Sequence, residues 1–390
     1  MLWQSLKCKK IAVWGMGKEG MAVCKVLQEK VPSATLVEIS EDNVTDLFSC
    51  DVLIKSPGVS LYRAEIQQAK QKGIVVTSGT NLFMKNKNPN TKVIAITGTK
   101  GKSTTSSLLA HTLKHYGFQV ALGGNIGVPL VTLVDEPADF VVAELSSYQC
   151  ADFEGEPDIS VLLNLYPEHL QWHTSHQQYY ADKRQMWQKG RIRIDGSNLS
   201  VQVKDGFFYD ELNQLFSVSH LNLKGSHNAG NACVVLSVLK QLGLDLTKAG
   251  RAFETFQALP HRLQIIAEID GITYVDDSIS TTPETAVCAM ETFKDRPVVL
   301  LVGGFDRGQD YDALNRYIQQ NHIQAIAMPV TGDRIESPYH VNTVKEAVAL
   351  AKQIVPKGGV VLLSPAAPSY HQYQNFEERG DDFVRAVKEA

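Results

Sequence analysis

The stretch IAITGTKGKSTTS, residues 94–106, decides the fold. Its apolar start, preceded by Val93, reads as a buried strand. Gly98 and Gly101 then let the backbone curl with its amides turned inward. The following SSLLAHTLKHY reads as a helix, and a helix N-terminus favours an anion. Strand, glycine turn and helix in this order point to a phosphate-binding loop. The general pattern is Gly, four residues, Gly, Lys and then Ser or Thr. Position 96 is Ile where the first Gly would stand, so the spacing shortens to Gly98, Gly101, Lys102 and Ser103, with Thr99 and Lys100 between the glycines. Lys102 is suited to reach the β- and γ-phosphates of a nucleotide, and Ser103 or Thr104 to meet Mg²⁺.

A chain of 390 residues exceeds one ordinary core, so two or three domains are expected. Lysine and arginine number 38 against 42 acidic residues, a net charge of −4, and no long basic run points to nucleic acid. The six cysteines are scattered without a CxxC pair, which suggests neither a zinc site nor a disulfide framework. No apolar run reaches the length of a membrane span, and the start, MLWQSLKCKK, lacks the apolar core of a signal peptide. A cytoplasmic enzyme with no membrane insertion is the expectation.

Three sections follow. In residues 1–88, KIAVWGMGKEGMAVCKVLQEK is strand, glycine turn, helix, and Gly15, Gly17 and Gly20 match GxGxxG. Glu38 near the end of TLVEI would suit a dinucleotide, although nucleotide sugars use the same turn. DVLIKSPGVS reads as strand and tight turn, and the Asn-rich NLFMKNKNPNTK as a boundary. Residues 89–258 open with the phosphate loop and alternate strands with helices, which implies a mostly parallel sheet. Asn125 in GGNIG, Glu144 in AELSSYQ, and Glu168 and His169 in NLYPEH follow apolar runs, where carboxyl strand ends converge on a crevice. Residues 259–390 form another α/β unit, whose polar turns collect Asp277, Arg307 and Ser369. Hinges are expected near 80–92 and 259–262.

The ordered set ITGTKGKSTT, GGNIG, AELSSYQ, NLYPEH, YYADKRQ, KGSHNAGNACVV, LPHRLQ, YVDDS, GGFDRG and LSPAAPSYHQYQNFEERGDDF resembles the Mur ligases. Within that family the resemblance leans to the branch that adds glutamate to UDP-N-acetylmuramoyl-L-alanine, chiefly through the last run. It implies a small Rossmann-like N-terminal domain that binds the UDP-sugar through Gly15, Gly17 and Gly20. A central P-loop ATPase-like domain and a C-terminal Rossmann-like amino-acid-binding domain complete the implied fold. It also implies an ATP-driven ligase that makes an acyl phosphate, which an incoming amine converts to an amide.

By the same resemblance, Gly98–Thr104 hold the nucleotide, and Lys102, His169, Lys183 and Arg307 are catalytic. Asn228, Asn231, Arg262 and Asp277 are further nucleotide contacts. Two Mg²⁺ sites use Ser103, Glu144, His169 and Lys183, the lysine being carbamylated. Asn125 and Ser369 bind substrate, and Arg307 stands where the family usually has lysine. The YVDDS segment carries Ile279 where a lysine usually helps to bind D-glutamate. The resemblance still implies D-glutamate as substrate. L-glutamate, with an epimerase partner acting downstream, is the alternative, and a non-catalytic cell-wall regulator is another. A dinucleotide reading of GxGxxG would need a hydride-transfer site in the third section, and none is evident. A monomer is expected.

Overall fold

The computed structural model describes residues 1–166, 170–223, 225–370 and 372–389. Its architecture is three α/β domains, each built on a mainly parallel sheet. The first sheet contains β1 (Lys10–Trp14), β2 (Thr35–Ile39), β3 (Val52–Lys55) and β4 (Val75–Ser78), parallel in the order β2-β1-β3-β4. The chain leaves β1 for one neighbour and then returns to the other side, so the carboxyl ends of β1 and β3 flank a switch point, where ligands of open α/β sheets bind.

The second sheet contains β5 (Lys92–Thr97), β6 (Val120–Gly124), β7 (Phe140–Glu144), β8 (Ile159–Leu162) and β9 (Ile192–Asp195). They are parallel in the order β6-β7-β5-β8-β9. A parallel sheet covered on both faces asks for unbroken apolar runs, not alternation. VIAI in β5 and VVA in β7 meet that demand, and ISVL in β8 breaks it only at Ser160, whose hydroxyl donates to the Trp187 carbonyl (2.6 Å); all are buried. Each such Val, Ile or Leu contributes roughly 1.5–3 kcal/mol. The central position of β5 puts the loop after it between the exits of β7 and β8.

A small antiparallel sheet, β10 (Val201–Lys204), β11 (Phe207–Asp210) and β12 (Asn213–Ser217), was not expected from the sequence. The signal was present: Asp205 and Gly206 both have positive φ (48° and 79°), as an Asp-Gly hairpin turn requires. Phe208 and Phe216 of this sheet meet each other and both pack on Phe253.

The last sheet runs β13 (Gln264–Ile269), β14 (Ile272–Asp276), β15 (Val298–Val302), β16 (Gln324–Ala327), β17 (Tyr339–His340) and β18 (Val360–Leu363). Its order is β13-β14-β18-β15-β16-β17, and only the β13–β14 pair is antiparallel among these strands. The polar turns after β14, β15 and β18 therefore leave the sheet at neighbouring strand ends.

Residues 1–221 with 227–256 form one compact unit, and 222–226 with 257–390 another. The first unit holds the first two sheets together. The boundary read near 80–92 opens inside the helix Gly79–Asn86. Its Leu82 packs into the core of the first sheet and Phe83 into that of the second. Among the described residues, no helix is long and apolar enough to cross a membrane.

Candidate active site

The phosphate loop leaves β5 and enters the helix Lys102–His115. Gly101 caps that helix at φ 83°, and a Cβ there would lie 2.5 Å from Asn231 Oδ1. A Cβ on Gly98 would lie 2.7 Å from the Leu163 Cβ. Both glycines are therefore demanded by close approach as well as by backbone shape.

Asn164, just beyond β8, shapes the turn. Its Oδ1 accepts from the amides of Thr99 (3.1 Å) and Lys100 (2.8 Å), and its Nδ2 donates to the Lys100 carbonyl (3.0 Å). Lys102 Nζ donates to the Thr99 carbonyl (2.8 Å), and Lys183 Nζ to the Gly98 carbonyl (2.7 Å). Two cationic side chains thus converge on one glycine turn. Ser103 is buried and Thr104 half-buried at the start of the helix. Asn228 and Asn231, joined at 3.2 Å, bring a second polar pair to Gly101.

Glu144 ends β7 and is fully buried. Its Oε1 accepts from Asn125 Nδ2 (2.8 Å), and its carbonyl accepts from the Asn125 amide (2.8 Å). The neighbouring Gly124 permits this approach, since a Cβ there would lie 2.2 Å from the Glu144 carbonyl oxygen. Glu144 Oε2 is buried without a hydrogen-bond partner. An orphaned carboxylate oxygen beside a phosphate loop fits a hard cation. Among the described residues no three His, Cys, Asp or Glu side chains are grouped as a metal cage. Mg²⁺ takes one or two carboxylates and completes its shell with phosphate oxygens and water, so the single open Glu144 oxygen suits it. His169, expected at a second metal, lies outside the described residues, as does Glu168.

In the first sheet, Gly15, Gly17 and Gly20 divide into two kinds. Gly15 has φ 93°, and a Cβ on it would come within 2.9 Å of the Ser56 Cβ. A Cβ on Gly20 would lie 2.1 Å from the Gly15 carbonyl oxygen. Gly17, the N-cap of the helix Lys18–Lys30, has open space around it. Ser56 Oγ donates to the Gly15 carbonyl (2.5 Å), tying the turn after β3 to that after β1. A crevice between these turns is lined by Glu19, Lys55, Ser56, Ser78 and Thr80. Burial pushes Glu19 up to about 7.

In the second unit, Asp277 follows β14 and is buried. Its oxygens accept from the Leu263 amide (3.1 Å) and Ser364 Oγ (2.8 Å), and burial pushes it up to about 7. Arg262 is half-buried, and its amide donates to the Leu259 carbonyl (3.2 Å). Ile279 is half-buried on the turn after Asp277, where its amide donates to the His261 carbonyl (3.2 Å). A crevice at the ends of β15 and β18 is lined by Gly303, Gly304, Ser369, Tyr370 and Arg379. Arg307 is exposed, its guanidinium 5.4 Å from the Tyr370 ring centroid.

Sequence reasoning did not single out Arg379 or Asn164. Buried Arg379 donates to Ser278 Oγ (3.0 Å), the Ser278 carbonyl (2.8 Å) and the Ala367 carbonyl (3.0 Å), clamping two strand-end turns together. Burial lowers its pKa to about 10. The charged run NFEERG and the polar residue directly after the apolar ISVLL were the available signals.

Residues 96–194 match the family described as the Mur ligase middle domain. A UDP-N-acetylmuramoyl-L-alanine--L-glutamate ligase from Micromonospora sp. is 35% identical, covering 100% of this chain and 98% of the relative. One of the same name from Xanthomonas oryzae pv. oryzae is 36% identical over 97% of this chain and 94% of the relative. Among solved structures, the UDP-N-acetylmuramate-alanine ligase of Thermotoga maritima superposes with a TM-score of 0.64 at 19% identity, covering 98% of this chain and 99% of that one. The MurF ligase of the same organism, in complex with ADP, superposes with a TM-score of 0.58 at 16% identity, covering 100% and 97%. These structures share the fold. The relatives' names overturn one expectation: those compared specify L-glutamate, so the assignment of D-glutamate does not stand. The sequence departs from the expected pattern at Ile279, where a lysine is expected for the D-isomer.

Proposed function

The chain belongs to the Mur ligase family and is an ATP-dependent, amide-forming ligase, and from that premise we propose that it joins L-glutamate to UDP-N-acetylmuramoyl-L-alanine. In this reading the γ-phosphoryl group passes to the alanyl carboxylate. The glutamate amine then attacks the acyl carbon, and the phosphate leaves as the amide forms. Phosphoryl transfer between two anions needs positive charge at the transferring group. Lys102 supplies it, with the amides of Gly98–Thr104 cradling the phosphates and Asn228 and Asn231 beside them. Bound Mg²⁺, held by Glu144 and the Ser103 hydroxyl, would offset the remaining repulsion. Carbamylated Lys183 would add a ligand for a second ion, together with His169.

Gly15, Gly17 and Gly20 serve the UDP-sugar, and Asn125 steadies both Glu144 and the substrate. Ser369 and Arg307 receive the amino acid. The protein acts as a monomer, and an epimerase partner that inverts the added residue follows it.

The observation that carries the chemistry is the buried, unpartnered Glu144 Oε2 at the strand end beside the phosphate loop. The choice of enantiomer rests on the relatives' names and on Ile279. Phosphate release with ATP, Mg²⁺ and UDP-N-acetylmuramoyl-L-alanine tests the whole reading, with L-glutamate, D-glutamate or neither. We expect L-glutamate to be favoured by at least about tenfold in kcat/KM, since a charged group misplaced in a polar pocket is rejected strongly. Ile279→Lys should shift the ratio toward the D-isomer. Release that ignores glutamate, or a preference for D-glutamate, would overturn the proposal.

A further inference from the structure

Asp182 is almost fully buried on the helix His176–Gln188. The Tyr62 hydroxyl stands 2.6 and 2.8 Å from its two oxygens. Gln178 Nε2 donates to it at 2.8 Å, and His173 Nδ1 lies 2.5 Å away. On the far side of the imidazole, His173 Nε2 is 2.8 Å from Ser147 Oγ. A carboxylate at Asp182 can only accept, so Nδ1 donates to it, and a neutral imidazole then accepts from the serine at Nε2. Ser147 begins the turn of helix that follows Glu144 and Leu145. A chain of polar groups therefore runs from the loop after β3, across the 176–188 helix, to the exit of β7.

The same helix faces the phosphate loop with other side chains. Lys183 holds the Gly98 carbonyl, and the Tyr179 hydroxyl is 2.9 Å from Thr99 Oγ1. Successive helical residues point about 100° apart. Asp182 and Lys183 thus grip neighbouring elements on two sides of one helix. Tyr62 is further anchored by the Trp172 ring, which it meets edge-on at 5.7 Å, while Ser60 Oγ donates to the Trp172 carbonyl (3.0 Å). Ser56, which bonds the Gly15 carbonyl, begins the loop that carries Tyr62. Apolar packing would join two sheets without the cost of burying a carboxylate. The polar chain supplies direction: it fixes where the helix sits.

We propose that Tyr62, Asp182 and His173 are positioning residues of the ligase reaction, coupling the first sheet's crevice to the phosphate loop by fixing the helix that carries Lys183. This rests on the assignment of the UDP-sugar to the first sheet. Sugar-nucleotide binding at the turns of Gly15 and Ser56 steadies Tyr62. Tyr62 steadies Asp182, and the helix then presents Tyr179 and Lys183 to the loop in register.

The test is the affinity of a non-hydrolysable ATP analogue for the full chain, measured by calorimetry with and without saturating UDP-N-acetylmuramoyl-L-alanine. The wild type should show a ratio of at least about fivefold, the lower end of ordinary coupling between sites. Tyr62→Phe keeps the ring on Trp172 and removes only the hydroxyl. It should bring the ratio to within about twofold of one, with each ligand's separate affinity little changed and the melting temperature lowered only by the loss of one hydrogen bond. Asp182→Asn should do the same, and if that variant does not fold, Tyr62→Phe alone decides. A merely structural role would lower stability and leave the ratio intact. A full ratio in Tyr62→Phe, or a ratio of one in the wild type, overturns the coupling. Absence of any sugar-nucleotide binding in the wild type would instead remove the functional reading beneath it, and the coupling with it.

Discussion

Gly15–Gly20 and Gly98–Gly101 both turn the chain from the end of a central parallel strand into a helix, yet different charged groups surround them. At the phosphate loop, Lys102 and Lys183 lean onto the turn's own carbonyls, and a neutral Asn164 locks two of its amides. At the glycine turn Glu19 and Lys55 both line the crevice, Lys55 paired with Asp152 (3.2 Å), and Lys18 reaches away to the Gly127 carbonyl (2.6 Å). Equivalent topology creates two crevices, and the side chains added to each decide their work. A turn approached by Lys102, with Lys183 behind it, suits phosphoryl transfer, where charge moves. A turn of amides beside a carboxyl suits a diphosphate that is held and not broken.

The comparison breaks first at Lys102. Lys102→Ala should lower kcat by at least about 10²-fold, the usual loss for one preorganised electrostatic contact. Binding of UDP at the glycine turn should stay as it was. The side chain is only part-buried, so the fold should survive. Steady-state phosphate release at saturating ATP measures it. Turnover within about threefold of the wild type would mean that the loop does no phosphoryl chemistry.

Lys183 sharpens the contrast between the two cations. Lys183→Ala should lose about 10- to 10²-fold in kcat, as expected when a metal ligand or its support is removed. If the lysine works as a carbamate, added formate or acetate should restore part of the loss by filling the cavity with a carboxylate. Failure of both acids to rescue, with free lysine found by mass, would leave Lys183 as a cation holding the Gly98 carbonyl.

The phosphate loop was legible because each of its demands has a letter: apolar β-branched run, glycine, lysine, hydroxyl. Glu144 and Asn125 were legible as polar residues at buried strand ends. Tyr62, Asp182 and His173 were not. They are distant in sequence, each is ordinary alone, and only the packing of the first two sheets into one unit brings them together. The segment near 80–92 carries more than its composition suggests. Its asparagines advertise a loop, while Leu82 and Phe83 each find a different core.

The glycine turn can be broken one residue at a time. Gly15→Ala must hold a strained positive φ and push on Ser56, which should cost about 1–3 kcal/mol of stability. Gly20→Ala should cost at least as much, because its Cβ would overlap the Gly15 carbonyl oxygen at 2.1 Å. Gly17→Ala meets open space and should stay within about 0.5 kcal/mol of the wild type. Urea midpoints separate the three. If Gly17→Ala weakens UDP binding while stability holds, Gly17 is the glycine that the ligand approaches. A Gly15→Ala variant as stable as the wild type would show that the turn relaxes and is not built by close packing.

The smallest expected effect is a pH slope at Glu19, and it tests the sign of the comparison. Burial raises this carboxyl from 4.5 to about 7, with Lys18 opposing the shift. Between those values the folded chain keeps a proton that the unfolded chain has lost. Stability must therefore fall as pH rises through that window and level off above it. The full shift would correspond to about 3 kcal/mol at 1.36 kcal/mol per pK unit, but partial access to water reduces it to roughly 1 kcal/mol. Glu19→Gln should match the wild type near the bottom of the window, gain on it with rising pH, and be the more stable above it. A diphosphate bound nearby would raise the carboxyl further, so UDP binding near neutral pH should take up a fraction of a proton. Calorimetry in two buffers of different ionisation enthalpy reads that uptake directly, and Glu19→Gln should abolish it. If binding is proton-neutral in the wild type, Glu19 does not face the ligand, and the acidic character assigned to this turn belongs to its packing and not to its site.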